Sequence, residues 1–255
     1  MQPWRSAIVD SADGIIRYRG YDAASLMTQR TFTETIFLLH RGRLPSKAER
    51  SVLDAILIGV ADHGSGAPSC AAARIAFSGN RQSVSAAVAA GILAVGDDHG
   101  GAGMGCMDMI ASALARVRSE NLSLEQAATQ IIRETRQEGR RIAGLGHRVH
   151  HADPRTPVLF DLARKNGIAG QGVAFMETLE KVAAQLIKPL PINIDGALAA
   201  VLHDMEFAPA FGRLVFIIGR TAGLCAEVAE ELGREKPMRI KIPVEYDGEP
   251  PRSLQ

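Results

Sequence analysis

The residues suited to chemistry are concentrated in a few short, glycine-flanked segments of the sequence. Histidine titrates near neutral pH and suits proton transfer, and the planar guanidinium of arginine suits carboxylates. Neighbouring glycines let a backbone approach a ligand closely. Together these residue types predict acid–base chemistry on a small molecule with several negative charges. The segments 61–64, 96–102, 144–149, 153–155, 193–196 and 219–221 carry His63, His99, His147, Arg155, Asp195 and Arg220.

Each of these residues also has a structural interpretation. Asp195 could cap a helix that begins at residue 196. His63 and His99 could stabilise turns, and Arg155 and Arg220 could be surface arginines or arginines in ion pairs. The cluster of residues 147–153 contains three histidines and an aspartate, but its spacing matches no standard zinc pattern, and we expect no metal site.

Composition narrows the class of protein. The chain has 255 residues, 46% of them hydrophobic, and a formal net charge of +1. These values exclude a disordered chain and give no overall basic field for nucleic acid. Three scattered cysteines do not suit a disulfide scaffold and fit a reducing compartment. The longest apolar run, 86–95, is about half the length that a membrane helix needs. We therefore expect a cytoplasmic protein without a membrane span.

Helix signals dominate the pattern and predict an all-α fold. A Ser or Thr followed three positions later by Glu or Gln predicts a capping box at Thr31, Ser46 and Ser123. Thr156, followed by a proline, predicts a further helix start, and Gly167 its end. Apolar periodicity predicts three more helices, over roughly 176–186, 196–206 and 212–232.

Strand signals are few. Asp13-Gly14 between two β-rich pieces predicts a small N-terminal hairpin. The segments 64–69, 97–105, 139–156 and 189–195 are predicted to be irregular. We expect one compact unit over 1–255, with a smaller subdomain over roughly 139–210 and an extended C-terminal arm over 234–255.

Five segments, in this order, resemble motifs of the citrate synthase superfamily. Residues 17–21 resemble its RYRGY element and 61–63 its substrate-histidine motif; 99–102 resemble HGGA, 144–149 GxGHRV and 193–196 NVD. The interval between Tyr21 and His63 is too short for a long helical section that citrate synthases carry. The compact form is therefore most similar to stand-alone citryl-CoA lyases and to the citryl-CoA lyase module of ATP-citrate lyase. That module has an aromatic residue where this chain has His99.

The resemblance implies a helical citrate-synthase-like fold and cleavage of (3S)-citryl-CoA to acetyl-CoA and oxaloacetate. His147 would take the hydroxyl proton, His99 would hydrogen-bond the thioester oxygen, and Asp195 would deliver a proton to the enolate carbon. No permanently bound cofactor is implied, since the coenzyme A thioester is the substrate. The resemblance also implies that His63, Arg155 and Arg220 bind the carboxylates and the carbonyl group of the substrate.

The family also implies a coenzyme A loop and a shared site. Gly144, Leu145 and Gly146 would receive the adenine, and Arg140 and Arg141 are candidate phosphate partners by position. Family members build each site across a homodimer, and a basic residue near the C-terminus reaches the neighbour's substrate. Lys236 and Arg239 are the candidates for that residue here.

Other functions remain open on the sequence alone. A compact citrate or 2-methylcitrate synthase is favoured by the retained His99 and disfavoured by the missing section. A lyase or synthase for a related 3-hydroxyacyl-CoA is a close variant. A catalytically idle partner subunit and a metal hydrolase built on residues 147–153 are the alternatives from other classes.

Overall fold

The computed structural model describes residues 3–146 and 152–253. Within them the chain forms a small antiparallel sheet followed by eleven helices, so the predicted all-α fold with an N-terminal hairpin is confirmed. The strands are β1 (Val9–Ala12), β2 (Ile15–Tyr18) and β3 (Tyr21–Asp22). The helices are α1 (Ala23–Gln29), α2 (Phe32–Arg41), α3 (Lys47–Val60), α4 (Pro68–Gly79), α5 (Val84–Leu93), α6 (Ala102–Ser119), α7 (Leu124–Gln137), α8 (Arg155–Lys165), α9 (Gln171–Leu186), α10 (Ile194–Asp204) and α11 (Phe211–Arg234).

The sheet has the order β1-β2-β3, and its first hairpin turns at Asp13-Gly14. Both turn residues have positive φ, at 57° and 72°, as a tight hairpin of this kind requires. β1 pairs with β2 from Val9 opposite Tyr18 to Ala12 opposite Ile15. β3, which the sequence did not predict, leads directly into α1, where Asp22 caps the first turn.

Local capping signals set the starts of three helices. The capping boxes predicted at Thr31, Ser46 and Ser123 are all present, each with both reciprocal hydrogen bonds. The start predicted at Thr156 is wrong. α8 begins at Arg155, and the Thr156 hydroxyl instead donates to the carbonyl of Ile192 at 3.0 Å. A tertiary contact therefore uses the side chain that would otherwise cap the helix.

The main core surrounds α10, which is buried from Gly196 to Leu202. It packs against α6 and α9 on two sides and against α8 and α11 on others. Because α10 is enclosed, its N-terminal turn and the residues before it are held by several elements at once. The structure thereby fixes the segment that carries Asp195.

A second, smaller core joins α4, α5 and α11. Phe77 and Leu224 are fully buried in it. Alongside it, Arg74 of α4 pairs with Glu227 and Glu231 of α11. Burial of such charges is tolerated because each is paired. This packing fixes α4 against the C-terminal half of α11.

Each of the four segments predicted to be irregular runs into a helix. Residues 68–69 belong to α4, 102–105 to α6, 155–156 to α8 and 194–195 to α10. Beyond Glu235 the described chain contains neither helix nor strand. The subdomain over 139–210 and the arm over 234–255 stay predictions. None of the described helices has the length and apolar character needed to cross a membrane.

Candidate active site

Two arginines converge on the C-terminal end of α3. Arg155 donates from Nη1 to the carbonyl of Gly59 at 2.8 Å, and Arg220 donates from Nε to the carbonyl of Val60 at 3.0 Å. The last carbonyls of a helix lack intrahelical partners and carry partial negative charge, which favours cations there. Arginines from α8 and α11 thus hold, by hydrogen bonds, the residues that precede Ala61-Asp62-His63.

Arg220 is buried, with 2% of its surface exposed. Besides Val60 it contacts Ser69, donating from Nη1 to the hydroxyl oxygen at 3.0 Å, and its guanidinium lies 4.8 Å from the centroid of the Phe216 ring. An arginine can only donate hydrogen bonds, so the Ser69 hydroxyl must direct its own proton elsewhere. Arg220 is therefore a buried residue held by several hydrogen bonds, and it does not form a surface ion pair.

His99 is the hydrogen-bond acceptor for the Ser69 hydroxyl. Its Nε2 lies 2.9 Å from Ser69 Oγ and 3.2 Å from the Ser69 backbone nitrogen. Ser69 lies in the first turn of α4, whose amide groups point towards the ring. Two donors directed at Nε2 assign it as an acceptor and place the imidazole proton on Nδ1. His99 is thus held as a neutral ring with a defined donor atom.

The turn that carries His99 is tightly constrained. His99 and Gly96 exchange backbone hydrogen bonds of 2.9 Å in both directions, and Gly101 also donates to the Gly96 carbonyl. Gly100 has φ of 71°, and a Cβ atom there would lie 2.1 Å from the Phe216 ring. Only glycine fits, so the turn packs directly on the ring that also meets His99 edge-on.

Asp195 lies in the first turn of α10, but it is not the cap. Asn193 is the N-cap, and its Oδ1 accepts from the amide of Gly196 at 3.1 Å. The Oδ1 atom of Asp195 is buried and has no hydrogen-bond partner among the described residues. The capping interpretation of Asp195 is therefore wrong, and the structure gives its carboxyl group no structural hydrogen bond at this oxygen.

The surroundings of Asp195 tune its acidity. Burial raises its pKa to about 6; the positive charges of Arg155 and Arg220 oppose the rise, and the negative charge of Asp153 adds to it. A buried carboxyl group with such a pKa can be present in either protonation state near neutral pH. That is the property required of a group that gives or takes a proton.

Asp153 organises the start of α8. Its two oxygens accept from Arg155 Nε at 2.9 Å and Nη2 at 2.7 Å, and Oδ2 also accepts from the amide of Ile194 at 3.2 Å. Burial alone would raise the pKa of Asp153, but the hydrogen bonds from Arg155 outweigh it and hold the pKa below its usual value. Asp153 thus orients Arg155 and ties it to the start of α10.

The 144–146 loop lies against the residues that precede α10. Gly146 donates to the Pro191 carbonyl at 2.7 Å, and the Gly144 carbonyl accepts from the Asn193 amide at 3.0 Å. Gly144 and Gly196 touch so closely that a Cβ on either would meet the other's backbone within 2.7 Å. The loop and the Asp195 segment consequently form one packed unit.

The structure brings together many of the residues predicted for the site. Ser69 links His99 to Arg220, and Arg155 and Arg220 bind neighbouring carbonyls at the end of α3. Both arginines act electrostatically on Asp195, and the 144–146 loop packs against Gly196 beside it. His63 is exposed on the loop between α3 and α4. It stands between Asp62 and Gly64, and the Gly64 amide donates to the Asp62 carboxylate. His147 lies outside the described residues.

Four predicted residues lie apart from that cluster. Arg140 pairs with Glu138, and Arg141 is exposed. Arg239 contacts Glu231 and Glu235 of its own chain, and Lys236 is exposed on the C-terminal segment. Within the described ranges none of the four contacts His99, Arg155, Asp195 or Arg220.

Sequence reasoning missed Ser69 and the structural part played by Asp153. No motif signals Ser69, because its importance arises only when α4, α11 and the 96–101 turn meet. The sequence makes Asp153 a possible metal ligand, but its oxygens accept hydrogen bonds from Arg155 and the Ile194 amide. One group of possible metal ligands does occur in the described part of the chain, formed by Asp62, Cys70 and Glu227. Glu227 there is already paired with Arg74.

Comparison with known sequences gives the family. The citrate synthase C-terminal domain matches residues 2–53 and 46–241. This chain therefore belongs to the citrate synthase family. It is 28% identical to the citrate synthase of Helicobacter pylori over 80% of its own length and 51% of that protein. It is 29% identical to putative citrate synthase 2 of Mycobacterium tuberculosis over 97% of its own length and 64% of that protein. The chain thus spans about half to two thirds of the length of these relatives.

Solved structures with a similar fold include a citryl-CoA lyase and an ATP citrate lyase. Citryl-CoA lyase from Hydrogenobacter thermophilus superposes with a TM-score of 0.89 and 36% identity, over 100% of this chain and 98% of that one. ATP citrate lyase from Methanothrix soehngenii, in complex with citrate and coenzyme A, gives a TM-score of 0.76 at 19% identity. It covers 97% of this chain and 42% of that one, and at this identity the likeness concerns the fold alone.

Proposed function

We propose that the protein is a citryl-CoA lyase, which cleaves (3S)-citryl-CoA to acetyl-CoA and oxaloacetate. The observation that carries the proposal is the neutral His99, held by Ser69, in the same site as a buried carboxyl group and two arginines. The full-length similarity to a citryl-CoA lyase supports the compact, lyase-like assignment. Such a site offers a proton donor, a hydrogen bond for a thioester oxygen and cations for carboxylates.

The proposed reaction breaks one carbon–carbon bond. His147 takes the proton of the tertiary hydroxyl, whose oxygen becomes the ketone of oxaloacetate. The electron pair of the broken bond moves into the thioester, which becomes an enolate. Asp195, in its protonated form, then gives its proton to the enolate carbon and yields acetyl-CoA. The substrate loses one proton to His147 and gains one from Asp195, so the reaction needs no oxidant, metal or bound cofactor to balance.

His99 stabilises the charge that develops on the thioester oxygen. With Nε2 occupied by the two Ser69 donors, the proton on Nδ1 is the one offered to that oxygen. A donor fixed in place before the reaction costs no reorganisation when the enolate forms, and this is why such contacts contribute strongly to catalysis. Ser69 is in turn fixed by Arg220, which holds it from the opposite side.

The two ends of the substrate have different binding groups. Arg155 and Arg220, with His63, bind the carboxylates and carbonyl of the oxaloacetate part. The 144–146 loop receives the adenine of coenzyme A, and Arg140 and Arg141 bind its phosphates. The bidentate contact with Asp153 leaves Arg155 with a fixed guanidinium plane, which pre-orients it for a planar carboxylate.

We also propose that the active unit is a homodimer in the cytoplasm. The C-terminal segment exposes apolar side chains, among them Ile242, Val244 and Tyr246, which a second copy could cover. Lys236 or Arg239 would then reach the substrate of the neighbouring subunit. Arg239 is already paired with Glu231 and Glu235 of its own chain. Lys236 is therefore the better candidate for the residue that reaches the neighbouring substrate.

The second candidate is a compact citrate or 2-methylcitrate synthase. It uses the same residues in the opposite direction, with Asp195 abstracting a proton from acetyl-CoA. The specific observation in its favour is His99 itself, because the resemblance associates a histidine at this position with synthases. The curated relatives named citrate synthase point the same way.

One assay separates the two. Purified protein is mixed with (3S)-citryl-CoA, and oxaloacetate release is followed through malate dehydrogenase. In parallel, acetyl-CoA and oxaloacetate are supplied and free coenzyme A is measured with a thiol reagent. A lyase releases oxaloacetate rapidly and forms little coenzyme A from the second mixture. Rapid coenzyme A formation with negligible cleavage of citryl-CoA would transfer the assignment to the synthase.

A further inference from the structure

The C-terminal segment has one apolar side that its own chain leaves open. From Ile240 to Tyr246 apolar residues alternate with polar residues or proline, so an extended backbone carries the apolar ones on one side. Ile242, Val244 and Tyr246 are 67%, 87% and 77% exposed. Within the described part of the chain, the hydrogen bonds and ion pairs of residues 241–253 stay inside that segment.

The start of the segment, in contrast, is fastened to its own chain. Met238 donates from its backbone amide to the Ser78 carbonyl at 2.8 Å. Arg81 donates to the carbonyls of Glu231 and Glu235 at 2.8 Å and 2.9 Å. Because Ser78 and Arg81 flank the turn between α4 and α5, the segment leaves the body of the chain beside the N-terminal end of α5.

Helix α5 has an uncovered apolar face of its own. Its 10 residues include no charged side chain. Ala87 is buried in the second core, but Val84 and Leu93, near the two ends, are 50% and 85% exposed. A helix that is apolar on all sides is normally enclosed. Within the described residues the outer face of α5 is not enclosed, and it consists of Val84, Ala86, Ala89 and Leu93.

The charges around the two surfaces are complementary in one direction. The segment is basic near its start, at Lys241, and acidic near its end, at Glu245 and Asp247. The N-terminal end of α5 carries partial positive charge, and the exposed Asp98 follows its C-terminal end. A segment that follows its own α5 starts at the N-terminal end and brings its acidic part towards Asp98. The segment of another copy can run the opposite way, which brings unlike charges together.

We infer that residues 240–246 of one subunit dock on the outer face of α5 in a second copy and run in the opposite direction to that helix. The lengths agree, since six extended steps span roughly 20 Å and the 10 residues of α5 about 15 Å. A twofold axis makes the exchange reciprocal, so both apolar surfaces of each subunit are covered. The inference rests on the proposed homodimer and adds the surface through which it forms.

Disulfide trapping tests the contact and its direction. Cys225 is exposed, so Cys225→Ser provides the starting chain. A tagged chain with Val244→Cys is co-expressed with an untagged chain with Ala86→Cys, and the purified protein is oxidised with copper phenanthroline. We expect a linked product with the summed mass of the two chains. Leu93→Cys, about 10 Å further along the same face, replaces Ala86→Cys in the matched control and should not link.

A charge on the apolar side gives an independent measurement in a part of the chain that is exposed. Val244→Asp should raise the dissociation constant of the dimer at least roughly 10-fold, measured by analytical ultracentrifugation. Ser253→Asp adds the same charge to the same segment outside residues 240–246, and it should leave the dissociation constant unchanged.

The outcomes separate the docking from the homodimer. A link to Leu93→Cys in place of Ala86→Cys, or no link in a protein that is dimeric, would overturn the docking and leave the homodimer standing. An equal effect of Val244→Asp and Ser253→Asp, or no effect of Val244→Asp, would overturn the docking too. A wild-type protein that is monomeric by light scattering would overturn both.

Discussion

Ser69 meets His99 with both of its hydrogen-bond donors, the backbone amide at 3.2 Å and the hydroxyl at 2.9 Å from Nε2. The hydroxyl is itself held by Arg220 at 3.0 Å. A helix N-terminus, a serine and a buried arginine together determine which nitrogen of the imidazole carries the proton. The chemistry expected of His99 thus depends on a residue that no sequence motif identifies.

The first prediction concerns this serine. Ser69→Ala removes one of two donors to His99 and the acceptor of Arg220, and it leaves the backbone amide in place. Loss of such hydrogen bonds costs about 1–3 kcal/mol, so we expect kcat for cleavage of citryl-CoA to fall by roughly 5- to 100-fold. Ser119→Ala, at the exposed end of α6, is the control. Wild-type turnover in folded Ser69→Ala protein would remove Ser69 from the mechanism.

The second prediction concerns the contact between the turn that carries His99 and the Phe216 ring. Gly100→Ala places a Cβ against the Phe216 ring at a positive φ, and we expect the melting temperature and the activity to fall together, with a stability loss of about 1–3 kcal/mol. Gly66→Ala is the control, since nothing lies within 4 Å of a Cβ there. Thermal unfolding followed by circular dichroism measures both variants. An unchanged melting temperature for Gly100→Ala would show that the turn is not packed as described.

The third prediction follows from the acidity of Asp195. Burial raises its pKa from 3.8 to about 6, so ionising this group costs the folded state about 3 kcal/mol at pH values above 6. The cost falls as pH drops through 6 towards 4, and it is absent below the unfolded pKa of 3.8, where Asp195 is protonated in both states. Asp195→Asn should therefore stabilise the protein at pH 8 and have little effect near pH 4, while abolishing turnover.

Denaturant unfolding at several pH values measures this effect. Asp108→Asn, at an exposed position on α6, is the matched control. A destabilised Asp195→Asn protein at pH 8 would mean that the carboxylate has a structural partner, and it would argue against the proton-transfer role.

The fourth prediction concerns Arg155. Arg155→Lys keeps the positive charge but cannot satisfy both oxygens of Asp153 and the Gly59 carbonyl at once. We expect the dissociation constant for oxaloacetate to rise by roughly 10- to 100-fold, as for the loss of a charge-assisted contact of about 1.5–3 kcal/mol. Isothermal titration calorimetry measures it directly. Arg164→Lys, an exposed position on the same helix, is the control and should bind normally.

The sequence predicted those features that depend on neighbouring residues. The capping boxes at Thr31, Ser46 and Ser123 each need only four consecutive residues, and all three formed. The Asp13-Gly14 hairpin is equally local. The resemblance of five segments to the citrate synthase superfamily then gave the family correctly.

Features that depend on distant parts of the chain were not predictable in this way. Thr156 has the sequence of a helix cap, but a tertiary contact with Ile192 takes its hydroxyl. Residues 102–105 were predicted to be irregular, yet they form the start of α6. There Gly103 packs so closely on Gly212 of α11 that a Cβ would lie 2.9 Å from its carbonyl oxygen. The contact of Ser69 with His99 arises in the same way, from elements that meet only in the folded chain.

The most direct measurement is a crystal structure of the protein with oxaloacetate and carboxymethyl coenzyme A, an unreactive analogue of acetyl-CoA. We expect the analogue's reactive end to lie between His99 Nδ1 and the Asp195 carboxyl group, with the oxaloacetate carboxylates on Arg155 and Arg220. A thioester analogue bound away from both His99 and Asp195, in every subunit, would contradict it.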